Sequence, residues 1–344
     1  MKRFLMVAPV MLVILAFCAR GTAQEPPVPK PTWETVKIVP PQSEEKYYRI
    51  AFIDRKIGYL ASDKAIYKTE DGCVTWKTIL QAKFLKKGYI EFINFKDNRI
   101  GWLGCDGTLY ATEDGGESWA PVEDVRANAM AIGPEGWMLA GSGGKVFRKS
   151  GAESKWEELD FAVKTGVDPN GQERRVVLIS IADKQTAVVA LNGNLAIKSQ
   201  VFKTTDRGKT WKEVFKRDNL RLDGIHFADA KRGWIVGGAK MWVTEDGGDN
   251  WKTQLNPEEK DIRFLAFDPK GSPVGIAPLK GYGGDRTILY TTNGKVWHSV
   301  ELDIKKAEFI SASVVDDGCA YVLTNDGRFI RFLEPLKKEA DKKP

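Results

Sequence analysis

The chain has 344 residues, 42% of them hydrophobic, with 52 Lys and Arg against 46 Asp and Glu and a formal charge of +6 at pH 7. So small a surplus does not call for a nucleic-acid partner. Two histidines and four cysteines, none in a Cys-x-x-Cys spacing, give a zinc site or a histidine-based triad little to work with.

Taken in chain order, Met1–Ala23 reads as an export signal: Lys2 and Arg3 form a basic start, Phe4–Phe17 an apolar core, and Gly21-Thr22-Ala23 a small-residue cleavage site. Its removal lowers the formal charge from +6 to +3, because Lys2, Arg3 and Arg20 are its only charged residues. The segment 15–18 (LAFC) partly fits a lipid-attachment box at Cys18, but the bulky Phe17 favours cleavage after Ala23. Residues 24–32 form a proline-rich, extended spacer.

From residue 33 to 335 the sequence repeats itself. A strand 1–2 phrase recurs seven times, at 50–61 (IAFIDRKIGYLA), 93–104, 130–141, 179–191, 225–237, 265–277 and 310–323. A second phrase, Thr-x-Asp-x-Gly-x-x-Trp, appears at 69–76, 112–119, 204–211 and 244–251, with weaker copies at 149–156 and 291–297. Its candidate structural residues are Asp71, Gly72 and Trp76; Asp114, Gly116 and Trp119; Asp206, Gly208 and Trp211; and Asp246, Gly248 and Trp251, with Cys73 where the other copies have Gly. Gly accepts positive φ and Asp bonds its own following backbone, so the phrase predicts a tight turn between strands 3 and 4. The Trp then opens strand 4.

Four short strands per unit of roughly 40 residues is one propeller blade. The expectation is an all-β, seven-bladed β-propeller with four antiparallel strands per blade. The seventh unit lacks its turn phrase and fourth strand, whereas PTWETVKI (31–38) resembles the strand 4 starts TWKTIL and NWKTQL. The N-terminal strand, opening at Trp33, is therefore expected to complete the last blade and close the ring. Residues 336–344 form a charged, frayed tail.

These phrases resemble the Asp-box (BNR) repeat propellers, and within them the photosystem II stability/assembly factor family. The Gly-Trp pairs at 101–102, 136–137 and 233–234 and the Asp-Gly turns carry the resemblance, which covers residues 31–335. It implies a non-enzymatic, exported protein-binding scaffold, monomeric, with no cofactor and no catalytic or metal-binding residues. The alternatives are a glycoside hydrolase or sialidase, for which Asp223 and Asp285 could supply a carboxyl pair, and a glycan-binding propeller using exposed Trp.

The Asp-box turns repeat and look architectural, so partner binding is expected on the opposite face, where strand 2–3 turns and blade connections vary. The candidate residues there are Lys86, Lys87, Tyr89, Arg174, Arg175, Arg217, Arg221, Tyr282 and Arg286. After the leader, Cys73, Cys105 and Cys319 remain and read as buried thiols, with Cys319 at the site of Tyr59 and Trp102.

Overall fold

The computed structural model describes residues 32–37, 45–81, 89–151, 154–161, 175–192, 199–257, 260–269, 271–281, 287–304, 307–316 and 318–333. Seven antiparallel sheets follow one another along the chain, making a seven-bladed propeller of four strands per blade. Blade 1 is Tyr47–Phe52, Gly58–Ser62, Ala65–Thr69 and Lys77–Gln81. Blade 2 is Ile90–Phe95, Gly101–Cys105, Thr108–Thr112 and Ala120–Arg126. Blade 3 is Ala129–Ile132, Met138–Ser142, Lys145–Lys149 and Trp156–Glu158, with the 3₁₀ turn Pro134–Gly136 between its first two strands. Blade 4 is Arg175–Ile181, Ala187–Asn192, Ser199–Thr204 and Lys212–Arg217. Blade 5 is Gly224–Phe227, Gly233–Gly237, Lys240–Thr244 and Lys252–Leu255.

Blade 6 has a broken first strand. Lys260–Ile262 and Ala266–Phe267 both pair with Gly275–Gly281, which continues into Thr287–Thr291 and His298–Glu301. The second strand of this blade is thus long, running as far as Gly281. Blade 7 is Phe309–Asp316, Cys319–Thr324 and Arg328–Leu333, completed by the N-terminal Thr32–Lys37. Trp33 lies opposite Phe332 and Thr35 opposite Ile330, so the two ends of the chain close the ring.

A single packing unit explains the recurring Phe…Gly-aromatic phrase. The first-strand Phe lies across the second-strand Gly that pairs with it, in Phe52–Gly58, Phe95–Gly101, Phe227–Gly233 and Phe267–Gly275. A Cβ on any of these glycines would sit 2.3–2.6 Å from the ring. In blades 1 and 5 the aromatic after the Gly stacks instead on the Phe of the next blade, as does Tyr321, which follows Ala320 in blade 7. Tyr59 lies 3.6 Å from Phe95, Trp234 4.5 Å from Phe267, and Tyr321 3.8 Å from Phe52 across the closing seam. The core is therefore a series of clusters between neighbouring blades, from Leu60 and Tyr321 at the seam round to Ile276 and Ile330.

One sequence reading is corrected here. Tyr321, not Cys319, stands in register with Tyr59: Tyr59 pairs with Lys68 as Tyr321 pairs with Arg331. A bulge between Val314 and Asp316 shifts the seventh unit against the others. Cys319 is nonetheless fully buried.

Candidate functional site

Each Asp-box is a closed hydrogen-bond circuit. In blade 4, Thr204 Oγ1 donates to Asp206 Oδ1 (2.7 Å) and accepts from the Gly208 amide (2.7 Å). Asp206 Oδ1 also accepts from the Thr210 amide (2.9 Å) and Oδ2 from the Thr210 hydroxyl (2.6 Å). Asp114 repeats this with Thr112, Gly116 and Ser118, and Asp246 with Thr244, Gly248 and Asn250. In blade 1 the amide of Cys73 takes the place of the glycine amide. Those donors stabilise the charged carboxylate. The Ser118 hydroxyl and amide hold Asp114, and the Thr210 hydroxyl and amide Asp206, down to about 2, while the Asn250 amide and side chain do so for Asp246. With every carboxyl oxygen occupied, these acids serve the turn and are poorly placed for catalysis.

The tryptophans are likewise architectural. Trp137 and Trp234 are fully buried, and Trp102, Trp119 and Trp242 nearly so. Trp33, Trp76, Trp156, Trp211, Trp251 and Trp297 pack against core clusters. The exposed platform that glycan stacking needs is missing among the described Trp residues.

The opposite face holds the mouth of the central channel, a cavity of about 880 Å³ among the first strands of the blades. Arginines from four blades line it: Arg49, Arg175, Arg221 and Arg263. Arg175 and Arg221 occupy equivalent places, each four residues before the first-strand Ile, Ile179 or Ile225, that pairs with Val189 or Ile235. Arg49 is fixed by three acceptors, the carbonyls of Glu91 (2.8 Å) and Tyr48 (2.8 Å) and the hydroxyl of Tyr89 (3.3 Å). Its guanidinium also lies 5.7 Å from the Tyr89 ring, which is tilted against Tyr48 at 4.9 Å. Tyr89 is 47% exposed, an aromatic surface that the fold leaves uncovered.

Two carboxylates, Glu91 and Asp223, line the cavity with these four cations. Asp223 pairs with Arg221 at 3.0 Å, and Arg263 is drawn outward to Glu308 at 2.7 Å. Glu91 accepts from Asn128 Nδ2 (3.0 Å) and the Gly107 amide (3.3 Å) through Oε1, leaving Oε2 buried without a partner. Burial raises the pKa of both Glu91 and Asp223, in Asp223 against the pull of Arg221. Below the arginines the wall is apolar, with Ile179, Ile225, Leu265 and Ile310 facing the cavity. An extended acidic segment with an aliphatic or aromatic side chain matches both the rim and the wall.

Of the residues expected on this face, the structure gathers Tyr89, Arg175 and Arg221 at the channel mouth. Arg217 lies apart, on the outer strand of blade 4 with its guanidinium 4.9 Å over Phe215. Lys86, Lys87, Arg174, Tyr282 and Arg286 lie outside the described residues, as does Asp285. Arg49, Arg263 and Glu91 were missed by the sequence reading, because each sits within or beside a first strand where a polar residue reads as an ordinary solvent-facing position. Among the described residues no cluster of His, Cys, Asp and Glu could hold a metal, and no helix is long and apolar enough to cross a membrane.

A seven-bladed Asp-box propeller with an arginine-rimmed channel defines the class. The sequence profile described as photosynthesis system II assembly factor YCF48 matches residues 26–159 and 208–331. The chain belongs to that family. Among solved structures it is similar to YCF48 bound to a D1 peptide, at a TM-score of 0.64 and 18% identity over 88% of this chain and 97% of that one. It is similar too to a catalytically inactive virginiamycin B lyase from Staphylococcus aureus with quinupristin, at a TM-score of 0.64 and 13% identity over 89% of this chain and 100% of that one. At such identities the likeness is one of fold, and the fold serves binders and enzymes alike. Curated relatives include vacuolar protein sorting/targeting protein 10 of Ajellomyces capsulatus (strain H143), 29% identical over 125 residues, covering 33% of this chain and 9% of that protein. The same protein of Uncinocarpus reesii is 32% identical over 140 residues, 37% of this chain and 9% of the relative. The chain thus spans under a tenth of the length of these relatives.

Proposed function

We propose that this chain is an exported, non-enzymatic scaffold that binds an acidic segment of a partner protein at the mouth of its channel. The observation that carries the reading is the convergence of Arg49, Arg175, Arg221 and Arg263 from four blades, beside exposed Tyr89, around one cavity. Arg and Tyr at a concave site are the residue types that dominate protein interfaces. Membership of an assembly-factor family supports a role in assembling or stabilising a membrane or secreted complex. A structural neighbour described with a bound D1 peptide, and relatives named as sorting proteins, support a protein ligand. Those relatives and the leader-like N-terminus favour the secretory pathway, periplasmic or extracellular.

The test is capture of partners from native-host membranes by the mature chain and by an Arg175→Glu, Arg221→Glu variant. Charge reversal at a rim of this kind is expected to weaken the complex by roughly tenfold or more, most strongly at low salt. Unchanged capture by the variant would overturn the channel-mouth reading. A second reading, glycoside hydrolysis, rests on Glu91 and Asp223 lining the same cavity with raised carboxyl pKa values. Turnover of a glycoside library that disappears in Glu91→Gln would support it.

A further inference from the structure

Cys73 stands where three other Asp-boxes have Gly116, Gly208 and Gly248, and it keeps their left-handed backbone, with φ 78° against 86–98°. A side chain there is strained, so its presence in one blade out of the set calls for a reason. Its direction follows from the other copies. A Cβ built on Gly116 would lie 2.6 Å from Ile79, on Gly208 2.5 Å from Leu159, and on Gly248 2.9 Å from Val214. Each of those contacts belongs to the preceding blade, in its outer strand or just beyond it. The side chain at this turn position therefore points back into the preceding blade, and for Cys73 that is blade 7, across the seam where the ring closes.

Blade 7 presents a second thiol in the same buried cluster, on its second strand rather than on its outer one. Cys319 lies two residues before Tyr321 on one strand, hence on the same side of the sheet, the side that stacks on Phe52 of blade 1. Tyr321 reaches over the seam to donate to the Arg55 carbonyl (2.9 Å), and a Cβ on Gly72 would lie 3.6 Å from its hydroxyl. Cys73 and Cys319 fall in one buried cluster with Tyr321, Phe329 and Phe52, whereas Cys105 belongs to another cluster, between blades 1 and 2. The remaining seam contacts are noncovalent: Arg55 with Asp316 (2.8 Å), Ser311 and Ser313 capping the amides of Ile50 and Phe52 (3.1 Å each), and Arg331 on the Gly72 carbonyl.

We propose that Cys73 and Cys319 are a redox pair that forms a disulfide across the closing seam and locks blade 1 to blade 7. A disulfide oxidant such as oxidised glutathione supplies the chemistry. One thiol loses its proton and attacks the oxidant, releasing one reduced thiol. The second protein thiol then loses its proton and displaces the other, so the protein gives up two hydrogens and the oxidant gains them. Burial pushes both thiols above the ordinary cysteine range, so they are poor nucleophiles once the ring is shut. The bond is accordingly made while the ring closes and is shielded from reductant afterwards. The proposal does not depend on which partner the channel mouth binds.

The test is to fold the full chain with oxidised glutathione, block free thiols in denaturant, and map peptides by mass spectrometry. A loss of about 2 Da with a Cys73–Cys319 linked peptide and a free Cys105 is the expected result. Reduction is expected to lower the Tm by about 5 °C in the wild type, to need denaturant to go quickly, and to have no effect on Cys73→Gly. Four blocked thiols in the full chain folded under oxidant, or a link from either residue to Cys18 or Cys105, would overturn the proposal. The mass measurement on wild type decides it even if a variant folds poorly.

Discussion

At the scale of single residues, two kinds of titrating group weaken the fold on acidification, in different pH windows and for different reasons. The Asp-box carboxylates are held well below their usual range by turn donors, so their contribution is present above about pH 4 and is lost as pH falls toward 2. His226 behaves differently. Its ring is stacked on Phe267 at 4.4 Å, and Nε2 is cut off from solvent with no partner, although the residue as a whole is only partly buried. Burial lowers its pKa to about 4 from 6.5. The unfolded chain then takes up a proton that the fold refuses, so stability is full above pH 6.5 and falls by up to about 3 kcal/mol on acidification to pH 4. Denaturant titrations at pH 7.0 and 4.5 are expected to show that loss in the wild type and most of it abolished in His226→Phe. Equal losses in both would show that the ring's burial is not the cause. Asp206→Ala removes three side-chain hydrogen bonds at one turn and is expected to cost about 1–3 kcal/mol in the same titration. The Asp-box was legible because its chemistry is local, with donors and acceptors inside one turn. His226 was not, since its stacking partner Phe267 belongs to the next blade.

At the scale of the element, the four Phe–Gly pairs turn a sequence phrase into a packing rule. The Gly is there because the ring of the paired Phe occupies the space where a Cβ would go, and the following aromatic is then free to reach the next blade. Gly233→Ala would place a methyl 2.6 Å from Phe227 and press on the neighbouring Trp234. The expected cost is about 1–3 kcal/mol, read from thermal or denaturant melts, with Phe227→Leu in the same chain recovering part of it. A neutral Gly233→Ala would mean that Phe227 moves aside freely and that the phrase has another origin. Strand order and blade count could be read from sequence because the strand 1–2 phrase recurs in every unit, with the Phe–Gly pair itself in four of them. The channel mouth could be read only in part. Tyr89, Arg175 and Arg221 stand at the connections, where variation draws the eye, whereas Arg49 and Glu91 lie in first strands whose polar positions gain meaning only when seven inner edges converge.

At the scale of the whole molecule, the ring is one circle of equivalent interfaces broken at a single place in the sequence. Between most blades the chain itself crosses the interface. At blade 7 it does not: the outer strand Thr32–Lys37 comes from the N-terminus and is held by its register with Arg328–Leu333, by Glu34 on Arg331 and by Trp33 on the core. Without it, Arg328–Leu333 becomes an open edge and Ile330 and Phe332 lose their cover. The closing strand therefore matters more than its length suggests, because every other blade is stabilised by neighbours on both sides and only a closed circle gives blades 1 and 7 the same. A chain starting at residue 38 is expected to melt at least about 5 °C lower than one starting at residue 24, and to self-associate through the exposed edge. Replacing only Trp33 by Ala tests the same closure more gently, with a loss of about 2–4 kcal/mol for an anchor this partly buried. If truncation left the melting temperature and the monomer unchanged, blade 7 would be self-sufficient as a three-stranded sheet, and closure would rest on the direct contacts between blades 1 and 7, such as Arg55–Asp316 and Tyr321–Phe52.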